Sequence, residues 1–197
     1  MRRLPWVTAG TVAACAVASS LPGGGELLQY DRARVAGGEI WRLLTGQMVH
    51  WTAEMAAADL LVLLTLGFWL ELAGRRRAVA CALALGAVFV AAGVELLRPG
   101  YLFYRGSSGL ASALFVLTAL AAMRPPARLS SRVLAVCALG LFAAKITWEI
   151  AAGHPLFAGD LPETVEVMPL AHLLGGVAGA MAFGVERLST PRRPAPA

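Results

Sequence analysis

Charge is scarce in this 197-residue chain. Only 15% of its residues are charged, against roughly 25% in soluble domains, and 58% are hydrophobic. That balance excludes a sizeable soluble domain. Several apolar runs approach the ~20 residues that cross a bilayer as a helix. The sequence therefore predicts an all-α, polytopic membrane protein that forms one compact bundle.

Cysteine and lysine are scarce as well. The three cysteines lie singly in apolar runs, which predicts small buried side chains and not disulfides or metal ligands. The chain has no His-Glu-x-x-His sequence, and its three histidines are scattered. We therefore expect no metal and no cofactor. The one lysine, Lys145, lies deep in an apolar region.

The net charge of +5 comes from arginines in short clusters between apolar runs, and they do not form one patch. This distribution indicates membrane topology and argues against a nucleic-acid partner. Eleven arginines lie at the amino terminus, in the turns at 75–77 and 124–132, and in the tail, against five in the opposite loops. The positive-inside rule then predicts that both termini are cytoplasmic.

Six segments are predicted to span the bilayer. They cover about 4–21, 53–72, 78–97, 106–123, 133–152 and 168–185. Ala16-Val17-Ala18 resembles a signal-peptide cleavage site, but the length of the first run and the arginine balance favour an uncleaved helix. We expect a membrane domain over 1–186 and a basic, disordered cytoplasmic tail over 187–197.

Two features bear on chemistry. Gly106-Ser107-Ser108-Gly109 opens the fourth predicted span, and His172 lies near the start of the sixth. A serine needs a neighbouring base to become a nucleophile, and imidazole takes and returns a proton near neutral pH. Alone, each feature is explained by helix packing or by a structural hydrogen bond. Their matched depth favours Ser108 as nucleophile and His172 as general base, with the Ser108 N–H available to an oxyanion.

Other polar groups fall in the same outer layer, where ionisable side chains are costly and usually face a cavity or each other. Lys145 and Glu149 are spaced for an ion pair on one helix face. Asp59 is either protonated, paired with Lys145, or directed elsewhere, since an ionised carboxylate would repel an oxyanion. Gly175 and Gly179 are spaced for close helix packing that brings His172 to Ser108.

Near the amino terminus, Trp41-Arg42 suits the headgroup level of the bilayer. A second interpretation makes it part of a structured interfacial loop.

These motifs, in this order, resemble the rhomboid intramembrane serine proteases. Trp41-Arg42, the Gly-Ser motif with Gly106 and Gly109, and Ala171-His172-Leu173-Leu174-Gly175 with Gly179 carry the likeness. Tyr104-Arg105, the 145–149 segment and Pro169-Leu170 resemble the rhombosortase branch. The resemblance implies a six-span rhomboid-like bundle and a Ser108–His172 dyad without a third acid. It also implies membrane-anchored substrates with a carboxy-terminal sorting tail, which is a Gly-Gly motif, a hydrophobic helix and basic residues.

The chain departs from the family pattern on the second span. Rhomboids usually carry a His and an Asn there as oxyanion-hole side chains, and these positions fall on Met55 and Asp59. Methionine cannot donate a hydrogen bond. His50 matches a further family histidine, and a family tyrosine falls on Ser112.

The resulting prediction is a serine endopeptidase in a bacterial inner membrane, in contact with the lipid bilayer and with its oligomeric state undetermined. Two alternatives stay open. One is a catalytically inactive relative that binds transmembrane helices. The other is a small proton-coupled transporter that uses Asp59, Lys145, Glu149 and His172.

Overall fold

The computed structural model describes residues 4–153 and 168–189. Within them the chain is helical apart from turns and one pair of short strands, so the all-α prediction is confirmed in its main feature. In chain order the elements are α1 (Trp6–Ser20), α2 (Gly24–Leu28), β1 (Tyr30–Asp31), α3 (Arg32–Ala36), α4 (Arg42–Thr45), a 3-10 turn (Gly46–Met48), α5 (Ala53–Leu72), α6 (Arg76–Ala92) with a π-helical turn (Gly93–Leu97), β2 (Phe103–Tyr104), α7 (Ser108–Ala122), α8 (Leu129–Ala152) and α9 (Pro169–Ser189).

Each of the six predicted spans coincides with an apolar helix, but the helices differ in length. In the part of the chain that the structure describes, α5, α6 with its π turn, α8 and α9 are long and apolar enough to cross a membrane. α1 and α7 are apolar but have 15 residues each. At 1.5 Å per residue they fall short of the ~30 Å hydrocarbon core. The chain is therefore a multi-pass membrane protein with four candidate spans, and the count of six stays a prediction.

α7 is the most enclosed of these helices. Its residues Ala113, Leu114 and Leu117 have no exposed surface. They belong to an apolar cluster to which α5, α6 and α9 also contribute. Small residues along α7 let the neighbouring helices approach its backbone closely. Ser108 is the first residue of α7, so the packing of this central helix fixes the position of its backbone.

One end of the bundle, which we call the arginine-rich end, gathers the basic turns. Arg75 and Arg124 both pair with Glu186 near the end of α9. Nearby, the buried Glu71 carboxylate accepts bonds from the backbone N–H and the hydroxyl of Thr8, both at 2.7 Å. Glu71 of α5 thus caps the start of α1 and holds the two helices together. The turns that carry Arg75 and Arg124, which were predicted to share one side, lie at the same end of the bundle.

The opposite end, which we call the site end, is formed by a loop layer. This layer consists of the short elements between Gly24 and Met48 together with β2. β1 pairs antiparallel with β2, with Tyr30 opposite Tyr104. The strands are two residues long, too short to give a period-two pattern in the sequence. They join the segment before α5 to the segment that leads into α7.

Two predicted regions extend past the described residues. α9 continues through Ser189, so the first residues assigned to the tail are helical. Residues 190–197 and the acidic loop at 154–167 lie outside the described residues.

Candidate active site

The turn into α7 is held by backbone bonds around Gly106. This glycine has φ +139°, a conformation that side-chain-bearing residues rarely adopt. Its N–H donates to the carbonyl of Gly46 at 3.1 Å, and its carbonyl accepts from the Tyr104 hydroxyl at 2.9 Å. Burial raises the pKa of the Tyr104 phenol, which keeps it a hydrogen-bond donor. These bonds fix the backbone conformation that leads into Ser107 and Ser108.

The two serines have different surroundings. Ser107 precedes α7 and has no exposed surface, whereas Ser108, the first helical residue, is half-buried. Because α7 begins at Ser108, the first N–H groups of the helix have no intrahelical acceptor. Ser108 thus combines a half-buried side chain with the start of a helix, whose first N–H groups are suited to bind an oxyanion.

Ser107 belongs to a polar cluster on the α5 side. Its hydroxyl is 3.0 Å from Nε2 of His50 and 3.4 Å from Oδ2 of Asp59. The same Asp59 oxygen is 3.3 Å from Nε2 of His50, and Ser19 contacts Nδ1 of that ring at 3.2 Å. Asp59 therefore lies beside the Gly106–Ser107 turn. It is bonded to His50, so the Asp59–Lys145 pairing considered from the sequence is not what the structure shows.

Met55 lies one helical turn before Asp59, in the first turn of α5. Its backbone N–H donates to the Thr52 hydroxyl at 3.2 Å, which caps the helix. The thioether cannot donate a hydrogen bond. Rhomboids usually carry His and Asn at these two positions, and both side chains donate hydrogen bonds. Met55 has no donor, and Asp59 has no donor when it is ionised.

The starts of α7 and α9 are brought together by glycine. A Cβ on Gly109 would lie 3.0 Å from the carbonyl oxygen of Ala171, and one on Gly175 would overlap the carbonyl oxygen of Gly109. Gly179 has the same relation to Ala113 one turn further along. Ser108 and His172, each next to a contacting residue, therefore stand on adjacent helix ends. They are not hydrogen-bonded to each other in this structure, which is common for catalytic pairs without substrate.

His172 is bonded by two residues of α8. Its Nδ1 lies 2.9 Å from Oε2 of Glu149 and 3.2 Å from Nζ of Lys145. Lys145 and Glu149 form the predicted i, i+4 pair at 2.6 Å. The Glu149 carboxylate is 2% exposed. The family resemblance implies no third acid, yet a buried carboxylate contacts the candidate base.

Arg42 anchors the loop layer, while Trp41 is 53% exposed. The Arg42 guanidinium is buried, bonds Glu39 at 2.6 Å, and donates to the carbonyls of Glu26 and Gln29, both at 3.0 Å. A guanidinium so enclosed does not meet lipid phosphate. Of the two interpretations of Trp41-Arg42, the structured loop is the one that the structure supports for Arg42.

Arg105 ties the turn before the serines to the same loop layer. Its guanidinium stacks 4.2 Å above the Trp51 ring, and its Nε donates to Gln29 at 2.9 Å. Burial lowers the pKa of Arg105, although a guanidinium stays charged under any ordinary condition. Over residues 4–153 and 168–189, no three His, Cys, Asp or Glu side chains are grouped as metal ligands.

Comparison with known families gives an independent assignment. A family model described as the Rhomboid domain matches residues 37–187, which is most of the chain and includes Ser108 and His172. No curated protein matches the sequence. The chain therefore belongs to the rhomboid family of intramembrane proteases.

Proposed function

We propose that this chain is an intramembrane serine endopeptidase in which Ser108 is the nucleophile and His172 the general base. The observation that carries the proposal is the glycine contact between the starts of α7 and α9. Gly109 and Gly175 let the two backbones touch next to Ser108 and His172, and this close approach supports pairing the two side chains.

The chemistry follows from those positions. Ser108 Oγ attacks the scissile carbonyl carbon while its proton passes to Nε2 of His172. That proton then goes to the leaving amine as the peptide bond breaks. Water, deprotonated by His172, cleaves the acyl-enzyme and restores the serine. The N–H of Ser108 at the start of α7 faces the developing oxyanion.

Backbone donors carry most of the oxyanion stabilisation in this proposal. Met55 supplies no donor, and Asp59 helps only when its carboxyl is protonated. Asp59 is close enough to the turn before Ser108 to act on the oxyanion. Its Oδ2 lies 4.0 Å from the position that a Cβ on Gly106 would take and 3.4 Å from the Ser107 hydroxyl. A single oxyanion donor is worth ~10²–10³ in rate, so this site is expected to be slower than one with both side-chain donors.

The substrates we propose are membrane-anchored proteins with a carboxy-terminal sorting tail of the Gly-Gly type. The rhombosortase-like residues Tyr104-Arg105, Lys145–Glu149 and Pro169-Leu170 support this class. The arginine-rich end, with Arg75 and Arg124 on Glu186, supports an orientation with that end in the cytoplasm. The serine would then lie near the periplasmic face of a bacterial inner membrane.

A fluorophosphonate probe tests the proposal without a known substrate. We expect labelling of the purified wild type and none of Ser108→Ala or His172→Ala, with the adduct mapping to Ser108. Ser130→Ala is the matched control, because Ser130 is exposed on α8 away from the site. An adduct on Ser107 would overturn the assignment, since His50 contacts that hydroxyl. Folded wild type that stays unlabelled would favour the inactive helix-binding relative.

The proton-coupled transporter makes a different prediction. It needs the ionisable residues but not the hydroxyl of Ser108. Proton flux into proteoliposomes that is the same in wild type and Ser108→Ala would support it, and the absence of flux would leave the protease.

A further inference from the structure

The carboxylate of Glu149 is enclosed and fully engaged. It is 2% exposed, with Oε1 at 2.6 Å from Lys145 Nζ and Oε2 at 2.9 Å from His172 Nδ1. An ion pair with Lys145 needs only one of the two oxygens. The second oxygen is directed at the imidazole of the residue that the proposed function uses as its base.

The contact fixes which ring nitrogen carries the proton. An ionised carboxylate only accepts hydrogen bonds, so a ring nitrogen 2.9 Å from it must be an N–H donor. Nδ1 is then protonated, and Nε2 of His172 keeps its lone pair. That lone pair is what a general base needs to receive the proton of Ser108.

Lys145 approaches the same nitrogen and would impose the opposite tautomer if it donated there. Its Nζ is 3.2 Å from Nδ1, against 2.6 Å from Glu149 Oε1. Lys145 donates its short bond to Glu149, and the closer of the two contacts of Nδ1 is also to Glu149, so Nδ1–H donation to the carboxylate is the favoured arrangement. Lys145 thus offsets the charge of Glu149 in an apolar setting, where an unpaired carboxylate is costly.

We propose that Glu149 is a positioning residue for His172, so that the site is a Ser108–His172–Glu149 chain and not a dyad. This inference rests on the proposed function. Glu149 holds the ring in its Nδ1–H form and stabilises the imidazolium that exists after Ser108 has given up its proton. Glu149 accepts no proton itself, and Nε2 passes its proton to the leaving amine.

Labelling kinetics test the role. In detergent, the Glu149→Gln variant should react with the fluorophosphonate ~10²–10⁴-fold more slowly at saturating probe, with the half-saturating probe concentration unchanged. A residue that merely holds the fold would lower the thermal midpoint without this selective loss of rate. Glu186→Gln is the matched control, because Glu186 is an ion-paired carboxylate on the helix of His172 but at the arginine-rich end. That variant should keep the wild-type rate.

A second measurement decides the matter if Glu149→Gln fails to fold. In wild-type protein labelled with ¹⁵N-histidine, the ring signals lost in His172→Ala should report a neutral Nδ1–H tautomer. A neutral Nε2–H tautomer, or a wild-type labelling rate in folded Glu149→Gln, would overturn the proposal. Wild type that never labels would count against the protease function, while the tautomer would still report on the Glu149 contact.

Discussion

Gly175 of α9 packs directly on the carbonyl oxygen of Gly109 in α7. Gly175→Ala should therefore push the two helices apart, lower stability by ~1–3 kcal/mol, and abolish probe labelling. Gly184→Ala is the control on the same helix, because a Cβ there meets nothing within 4 Å. Labelling rates and thermal midpoints of both variants check this. Normal labelling of Gly175→Ala would mean that the helix contact does not set the geometry between Ser108 and His172.

Met55 occupies a position where a donor is expected and none is present. Met55→His should raise kcat by ~10-fold or more with KM nearly constant, because a donor that acts only on the oxyanion stabilises the transition state alone. The measurement is turnover of a transmembrane substrate in proteoliposomes. An unchanged kcat in a folded variant would show that position 55 does not face the oxyanion.

Asp59 offers a related test. Asparagine keeps the size and hydrogen-bonding reach of the side chain toward His50 and Ser107, and it cannot ionise. Asp59→Asn should raise turnover, because an amide does not repel the oxyanion as a charged carboxylate would. The comparison is the pH–rate profile of the two proteins. Identical turnover and identical profiles would remove Asp59 from the oxyanion site.

Arg42 should matter for stability and Trp41 much less. Arg42→Lys keeps the charge but loses the fork that bonds Glu39 and two carbonyls, so we expect a loss on the order of 3 kcal/mol. Trp41→Ala, at an exposed position, is the control. Thermal unfolding in detergent compares them. Equal midpoints would show that the loop layer does not depend on the buried guanidinium.

The sequence was informative where a physical rule acts on single residues. Helix positions followed from apolar length, and the shared end of the turns that carry Arg75 and Arg124 followed from the arginine count. The i, i+4 spacing of Lys145 and Glu149 was enough to predict their ion pair. Gly175 and Gly179 could be assigned to a close helix contact because their spacing has few other uses in membranes.

The partners of the polar side chains could not be predicted in the same way. Spacing along α8 says nothing about which helix its polar face meets, so the contact of Glu149 with His172 was missed. Depth alone allowed Asp59 to pair with Lys145, but the two lie on different sides of the serine turn. Ser107 was passed over beside Ser108, because the sequence does not show that His50 and Asp59 meet its hydroxyl.

The loop layer at the site end is bonded to the turn that carries Ser108. Gly106 bonds Gly46, β1 pairs with β2, and Arg105 bonds Gln29, so the turn that carries Ser108 is linked directly to the segment before α5. This layer belongs to the site end and not to the apolar middle of the bundle. An antibody fragment bound to the loop layer would therefore be expected to change the position of the serine without entering that apolar middle.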